Sequence, residues 1–225
     1  MTATEAPTAP APPPRRRGRV RRWIGILLIL AGLALLGYFA WQYWGTNVVS
    51  KARHADEKKI IAEDWGKGID GKAIGLLRVP RFGADYEVPI VRGFSKDALA
   101  SGVGWYTKGA KPGQVGNFVL AGHRVTHGEP FRDFLELRKG DTAIVETRTR
   151  IYTYRLRNDG DAITVPFTES WPLWPVPDPK AEGKAPTERL ITLLTCSELF
   201  HTDNRNVVVG ELVKTVDKAD PEGRG

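Results

Sequence analysis

The sequence predicts a mainly β domain, a closed barrel or a sandwich, held outside a membrane by one N-terminal helix. Three observations predict it. Trp23–Trp44 is an apolar run of 22 residues without a charge. From about Ile74 the chain breaks into eight short runs of β-forming residues separated by Gly, Pro and Asp turns. Beyond residue 73 only Lys96–Ala100 and Pro130–Leu137 are expected as short helices.

The chain begins with a Pro/Ala/Thr-rich stretch and an Arg cluster, and residues 1–22 are expected to form a disordered basic cytoplasmic tail. Six Arg from Arg15 to Arg22 stand against Glu5 alone, a net +5, whereas the other residues hold 27 basic and 25 acidic side chains, a net +2. The overall charge of +7 is thus concentrated beside the apolar run and not spread over the folded domain. A phosphate-binding surface needs its basic residues on the domain, so nucleic acid is not an expected partner.

Residues 23–44 are read as a transmembrane helix. As a helix the run spans roughly 33 Å at about 1.5 Å per residue, enough for a bilayer core. Trp23 at one end and Trp41, Tyr43 and Trp44 at the other suit the headgroup levels. The run is longer than the ~7–15 residue core of a cleaved signal, and no A-x-A site follows. The Arg cluster keeps the N-terminus cytoplasmic, which places everything after Trp44 outside the cell.

Residues 45–73 are expected to form an extracellular stalk. Their mixed-charge, helix-forming stretch is ended by Gly66, Gly68 and Gly71. Residues 74–215 make the folded domain, and a polar tail, 216–225, is expected to be disordered. The expected strands are Leu76–Val79, Tyr86–Val91, Asn117–Ala121, Asp141–Glu146, Ile151–Leu156, Ala162–Pro166, Leu190–Thr195 and Asn206–Val213. Residues 167–188 form a long Pro- and Trp-rich loop. Loops this long are often binding loops, and Trp171 and Trp174 could line a groove or simply pack the loop onto the domain.

The single cysteine, Cys196, has no partner for an internal disulfide in an exported domain, which marks it as reactive or as a buried structural residue. Acyl transfer by a thiol needs a group that favours thiolate and a donor for the oxyanion. His123 ends the apolar segment NFVLAGHR, Cys196 ends LITLLTC, and Arg205 opens the last strand nine residues later. Strand ends of this kind can meet at one mouth of a barrel. His54 falls in the stalk, and His127 and His201 read as solvent-facing loop residues. A zinc site from His123, His127, Cys196 and His201 is a rival, weakened by the single Cys and the absence of a helix to hold the two His on one face. A non-enzymatic binding domain is another, which leaves the lone Cys and AGHR unexplained.

Three segments carry a family resemblance. Thr192–Cys196 reads TLLTC, residues 104–124 read GWYTKGAKPGQVGNFVLAGHR, and residues 196–212 read CSELFHTDNRNVVVGEL. Together, over about residues 74–213, they resemble the sortases, most closely the actinobacterial class E enzymes. Trp105-Tyr106 departs from the His-Tyr pair frequent there. The resemblance implies an eight-stranded sortase-type barrel with short helices and a cysteine transpeptidase without cofactor or metal. It implies Cys196 as nucleophile, His123 as general acid and base, and Arg205 as oxyanion donor, with Tyr106 and Thr195 as substrate-contact candidates. The expected partners are secreted surface proteins bearing an LPxTG or LAxTG sorting signal and an amine acceptor on peptidoglycan or lipid II. An exported cysteine peptidase using the same three residues is the alternative.

Overall fold

The computed structural model describes residues 17–69, 71–196 and 203–218. The expected tail over residues 1–16, the chain end from 219, and His201 lie outside them. Two compact units divide the chain between Trp41 and Gln42. The first contains the helix α1 (Arg17–Ala40), whose stretch Val20–Ala40 is long and apolar enough to cross a membrane. The helix begins at Arg17, inside the segment expected to be disordered.

The second unit holds α2 (Thr46–Gly66), α3 (Lys96–Ser101) and nine strands. These are β1 (Ala73–Arg78), β2 (Val88–Arg92), β3 (Val103–Trp105), β4 (Gly116–Ala121), β5 (Thr142–Glu146), β6 (Arg150–Leu156), β7 (Thr164–Pro166), β8 (Arg189–Cys196) and β9 (Asn204–Asp217). Their order is β6-β5-β1-β2-β3-β4-β8-β9, and a β6–β9 ladder closes this ring of eight. β7 lies outside the ring, paired to the first three residues of β9. Each run expected as a strand contributes to one. β3 was not expected, because three residues are too few to show alternation.

The ring is filled with side chains, as an eight-stranded barrel allows. Phe118, Leu120, Phe131, Phe134, Tyr154, Ile191 and Leu193 meet in its core. The buried Tyr154 hydroxyl accepts the Gly113 N–H at 2.7 Å, so the phenol carries no unmet polar group. The segment expected as a helix over Pro130–Leu137 forms only a 3-10 turn at Phe134–Glu136, anchored by the buried Phe131 and Phe134.

Two expectations need correction. The segment 45–73 is not a free stalk. Its helix α2 packs on the barrel through Ile61 and Trp65, which join Ala73, Leu76, Val91 and Ala98 in a second apolar cluster. The tail expected to fray after Thr215 continues β9 instead. Val216 and Asp217 pair with Ile151 and Arg150, and Arg150 Nε donates to Asp217 at 2.7 Å.

His54 of α2 is half-buried and hydrogen-bonded to the Ala100 backbone. Burial first, then Lys58 and Lys51, lower its pKa from 6.5 to about 4. An unfolded chain binds that proton near pH 6.5 and the folded chain only near 4. The stability contributed by neutral His54 is therefore complete above about 6.5 and is lost as pH falls toward 4. Urea unfolding across this range should show falling stability with acid, and His54→Gln should flatten the slope. An unchanged slope in the variant would contradict the assignment.

Candidate active site

The long strands that carry the candidate residues are buried on both faces. In β8, Ile191 and Leu193 point into the barrel core, while Thr192 and Leu194 face outward. In β4, Phe118 and Leu120 point inward and Asn117 outward. In β9, Val208 points inward and Val207 and Val209 outward. With a period of two, positions 196 and 205 fall on the outer face, and position 123 continues the outer series 117, 119, 121. The candidate residues therefore gather at one end of the ladder on the outside of the barrel, not inside its mouth.

Backbone register brings them together. Cys196, described here by its backbone, is the direct cross-strand partner of Arg205. Opposite residues in an antiparallel pair stand about 4.5–5.5 Å apart between Cα atoms. β4 and β8 run parallel, pairing Gly116–Ala121 in step with Arg189–Leu194. Two residues beyond the Ala121–Leu194 pair on each strand stand His123 and Cys196. Gly122 N–H donates to Leu194 O at 3.1 Å, carrying the alignment past the end of β4.

Thr195, a substrate-contact candidate from the sequence, is buried. Its hydroxyl donates to Gly122 O at 2.9 Å. It fastens the residue before Cys196 to the residue before His123, so its role is to align the two strands. The outer face beside Arg205 is covered by Val165 of β7, Trp171 and Val207, with Ile163, Trp174, Leu194 and Val209 packed against them. Arg205 is half-buried, its strand is flanked by Val165 of β7, and its Nη1 donates to Asn204 O at 2.8 Å.

Sequence reasoning missed Asn117. It is buried, accepts the Thr192 hydroxyl at 2.7 Å, and donates to Pro172 O and Trp174 O, each at 2.9 Å. One amide therefore pins the Trp-rich loop to β4 and β8. An Asn inside an otherwise apolar strand was the available signal. Trp171 packs the loop down, while Trp174 also lines an open groove of about 620 Å³ with Tyr106, Lys108, Leu173 and Pro186. Tyr106 N–H donates to Val119 O, four residues before His123, so the two are separated by about 13 Å of strand.

His127 also differs from its expectation as a solvent-facing residue. Its ring stacks on the His123 ring, centroids 4.5 Å apart and planes at 23°. Burial, then nearby Arg53, lowers its pKa, which favours a neutral ring beside His123. The loop carrying it turns through three left-handed residues, His127 at φ 54°, Gly128 at 82° and Glu129 at 52°. The two non-glycine residues cost on the order of 1 kcal/mol each in that conformation. Among the described residues no three His, Cys, Asp or Glu side chains gather as a metal-binding set.

The chain matches the family model of the sortase domain over residues 77–213. It is 35% identical to Sortase SrtE1 of Streptomyces coelicolor across 93% of this chain, but spans only 65% of that protein's length. It is 32% identical to Sortase SrtE2 of the same organism, covering 89% of this chain and 87% of the relative. The crystal structure of Sortase E1 from Streptomyces coelicolor with a tripeptide in the active site is similar at 34% identity and a TM-score of 0.55, covering 69% of this chain and 96% of that one. With the domain model spanning more than half of the chain, the protein belongs to the sortase family of cysteine transpeptidases.

Proposed function

We propose that the protein cleaves an LPxTG- or LAxTG-type sorting signal between Thr and Gly and joins the new carboxyl end to a cell-wall amine. The observation that carries this reading is the shared register of three strands, which sets position 196 opposite Arg205 and level with His123. The tripeptide held in the active site of Sortase E1 supports a peptide substrate.

In this reading the Cys196 thiolate attacks the Thr carbonyl carbon. Arg205 donates to the oxyanion that forms. The intermediate collapses with cleavage of the Thr–Gly bond, the Gly nitrogen takes a proton from His123, and a thioester remains on Cys196. An acceptor amine then attacks the thioester carbonyl and gives a proton to His123, and the sulfur leaves as thiolate. A neutral His127 against the His123 ring adds no repulsion when His123 carries the proton. The acceptor is an amine of peptidoglycan or of lipid II.

The helix at Val20–Ala40 anchors the enzyme, with the Arg cluster before it in the cytoplasm and the barrel outside. Protease added to intact cells should digest the barrel; full protection would reverse the orientation.

Cys196→Ala and His123→Ala should each lower turnover of a sorting peptide by at least about 10³-fold with little change in Tm. Arg205→Lys keeps the charge but loses the planar fork, and should cost about 10²-fold or more. Near-normal turnover in any of the three would remove that residue from the site.

Tyr106 lies about 13 Å of strand from His123, near the reach of the residue three places before the sorting Thr. An LAxTG peptide should be preferred over LPxTG, within the ~10–200-fold range of small pocket differences, and Tyr106→Ala should erode the preference. Equal rates in the parent enzyme would defeat this specificity.

Transfer and hydrolysis share the thioester and differ in what resolves it. A well-placed amine competes with water through effective molarity. Triglycine or a diaminopimelate-containing peptide should accelerate turnover and appear in the joined product. Fast hydrolysis without joined product, across several amines, would instead show a cysteine peptidase.

A further inference from the structure

The helix α2 reaches the active site indirectly, through the loop that follows His123. The base of this loop is locked to the barrel. Phe131 N–H donates to His123 O at 2.9 Å, Phe131 is fully buried, and the Tyr86 hydroxyl donates to Pro130 O at 2.6 Å. The tip is the left-handed run His127–Gly128–Glu129, which a free loop would not favour. It is held from outside by one side chain. Asn47 Oδ1 accepts the Gly128 N–H at 2.9 Å, and Asn47 Nδ2 donates to Glu129 Oε1 at 2.7 Å. The same nitrogen lies 3.5 Å from Val125 O.

The neighbouring turns of α2 complete the seat. A Cβ added to Gly128 would lie 2.6 Å from His54 Cε1, so helix and loop are in close contact where the chain turns left-handed. Glu129, gripped by Asn47 through one oxygen, is paired through the other with Arg132 at 3.0 Å. The residue at the tip, His127, is the one stacked on His123.

We infer that Asn47 is a positioning residue for His123: its carboxamide holds the 125–129 loop in the strained turn that keeps the His127 ring against the His123 ring. This rests on the reading of His123 as the acid and base. Asn47 touches no reacting atom. Its loss frees the tip to relax, withdraws His127, and lets the His123 imidazole rotate away from the thiol and leaving group. Chemistry suffers while the peptide groove, on other elements, does not.

The test uses the full chain in detergent micelles and a fluorogenic sorting peptide. Asn47→Ala should lower kcat about 10–100-fold with KM within about twofold. Asn47→Asp keeps the acceptor for the Gly128 N–H but sets a carboxylate against Glu129, and should be impaired at least as much. Adding Glu129→Gln to Asn47→Asp returns a donor facing an acceptor, with the roles exchanged, and should restore kcat to within about threefold of the parent. Glu129→Gln alone should change kcat by less than about threefold. Rescue of kcat by the reciprocal pair is the decisive readout, and it applies even if Asn47→Ala fails to fold. An Asn47→Asp enzyme with parental kcat, or a double variant no better than Asn47→Asp, would overturn the proposal. His123→Ala is the control for the underlying reading. If it stays active, the catalytic assignment has failed; if it is dead while the Asn47 variants are normal, only the clamp has failed.

Discussion

The parallel pairing of β4 with β8 is the constraint on which the site depends. Two strands that run the same way, in step from Gly116–Arg189 to Ala121–Leu194, must deliver their next residues to the same place. Parallel neighbours have no hairpin to set their register, so side chains must do it. Two hydroxyl contacts between the strands serve that purpose here. Thr192 donates to Asn117 near the start of the ladder and Thr195 to Gly122 at its end. Both lie where a hydrogen bond is buried and a one-residue slip would leave it unmet, exchanging the inner and outer faces of the strand. The antiparallel partner β9 then sets Arg205 opposite Cys196.

The barrel core and the site lie on opposite faces of the same strands. The ring interior is closed with aromatic and branched side chains, which leaves the outer face at the ladder's end for chemistry. That face needs a cover, and the Trp-rich loop supplies it. Asn117 holds the loop by two carbonyls and Trp171 seals it over Val165 and Val207. On the other flank, the loop after His123 is held by α2. The membrane-proximal helix is thus part of the catalytic unit, joined to it by the Asn47 carboxamide and by the Ile61 cluster.

Much of this was legible in the residues. Alternation and turn residues marked the eight runs because half of each run faces a closed core, and β3 escaped because it spans one residue pair and little more. Cys196, His123 and Arg205 stood out because each ends or opens an apolar strand and because the TLLTC and AGHR segments resemble a known family. What stayed hidden depends on contacts distant in sequence. Asn47 and Glu129 are 82 residues apart, and nothing local in α2 announces the loop it grips. The packing of α2 was masked by its mixed charge, since only Ser50 and Ile61 along its length are fully buried. The stack of His127 on His123 follows from a left-handed turn that composition alone does not disclose, beyond the single Gly128.

The central claim is that acyl transfer runs through position 196 at the end of β8. The most direct measurement is mass spectrometry of the full chain mixed with a sorting peptide in the absence of amine, quenched in acid and digested. The account expects an acyl group ending at the sorting Thr, attached to the fragment that contains Cys196 and removed by hydroxylamine. Cleavage of the peptide with the adduct on another residue, or with no covalent adduct under any quench time, would contradict it.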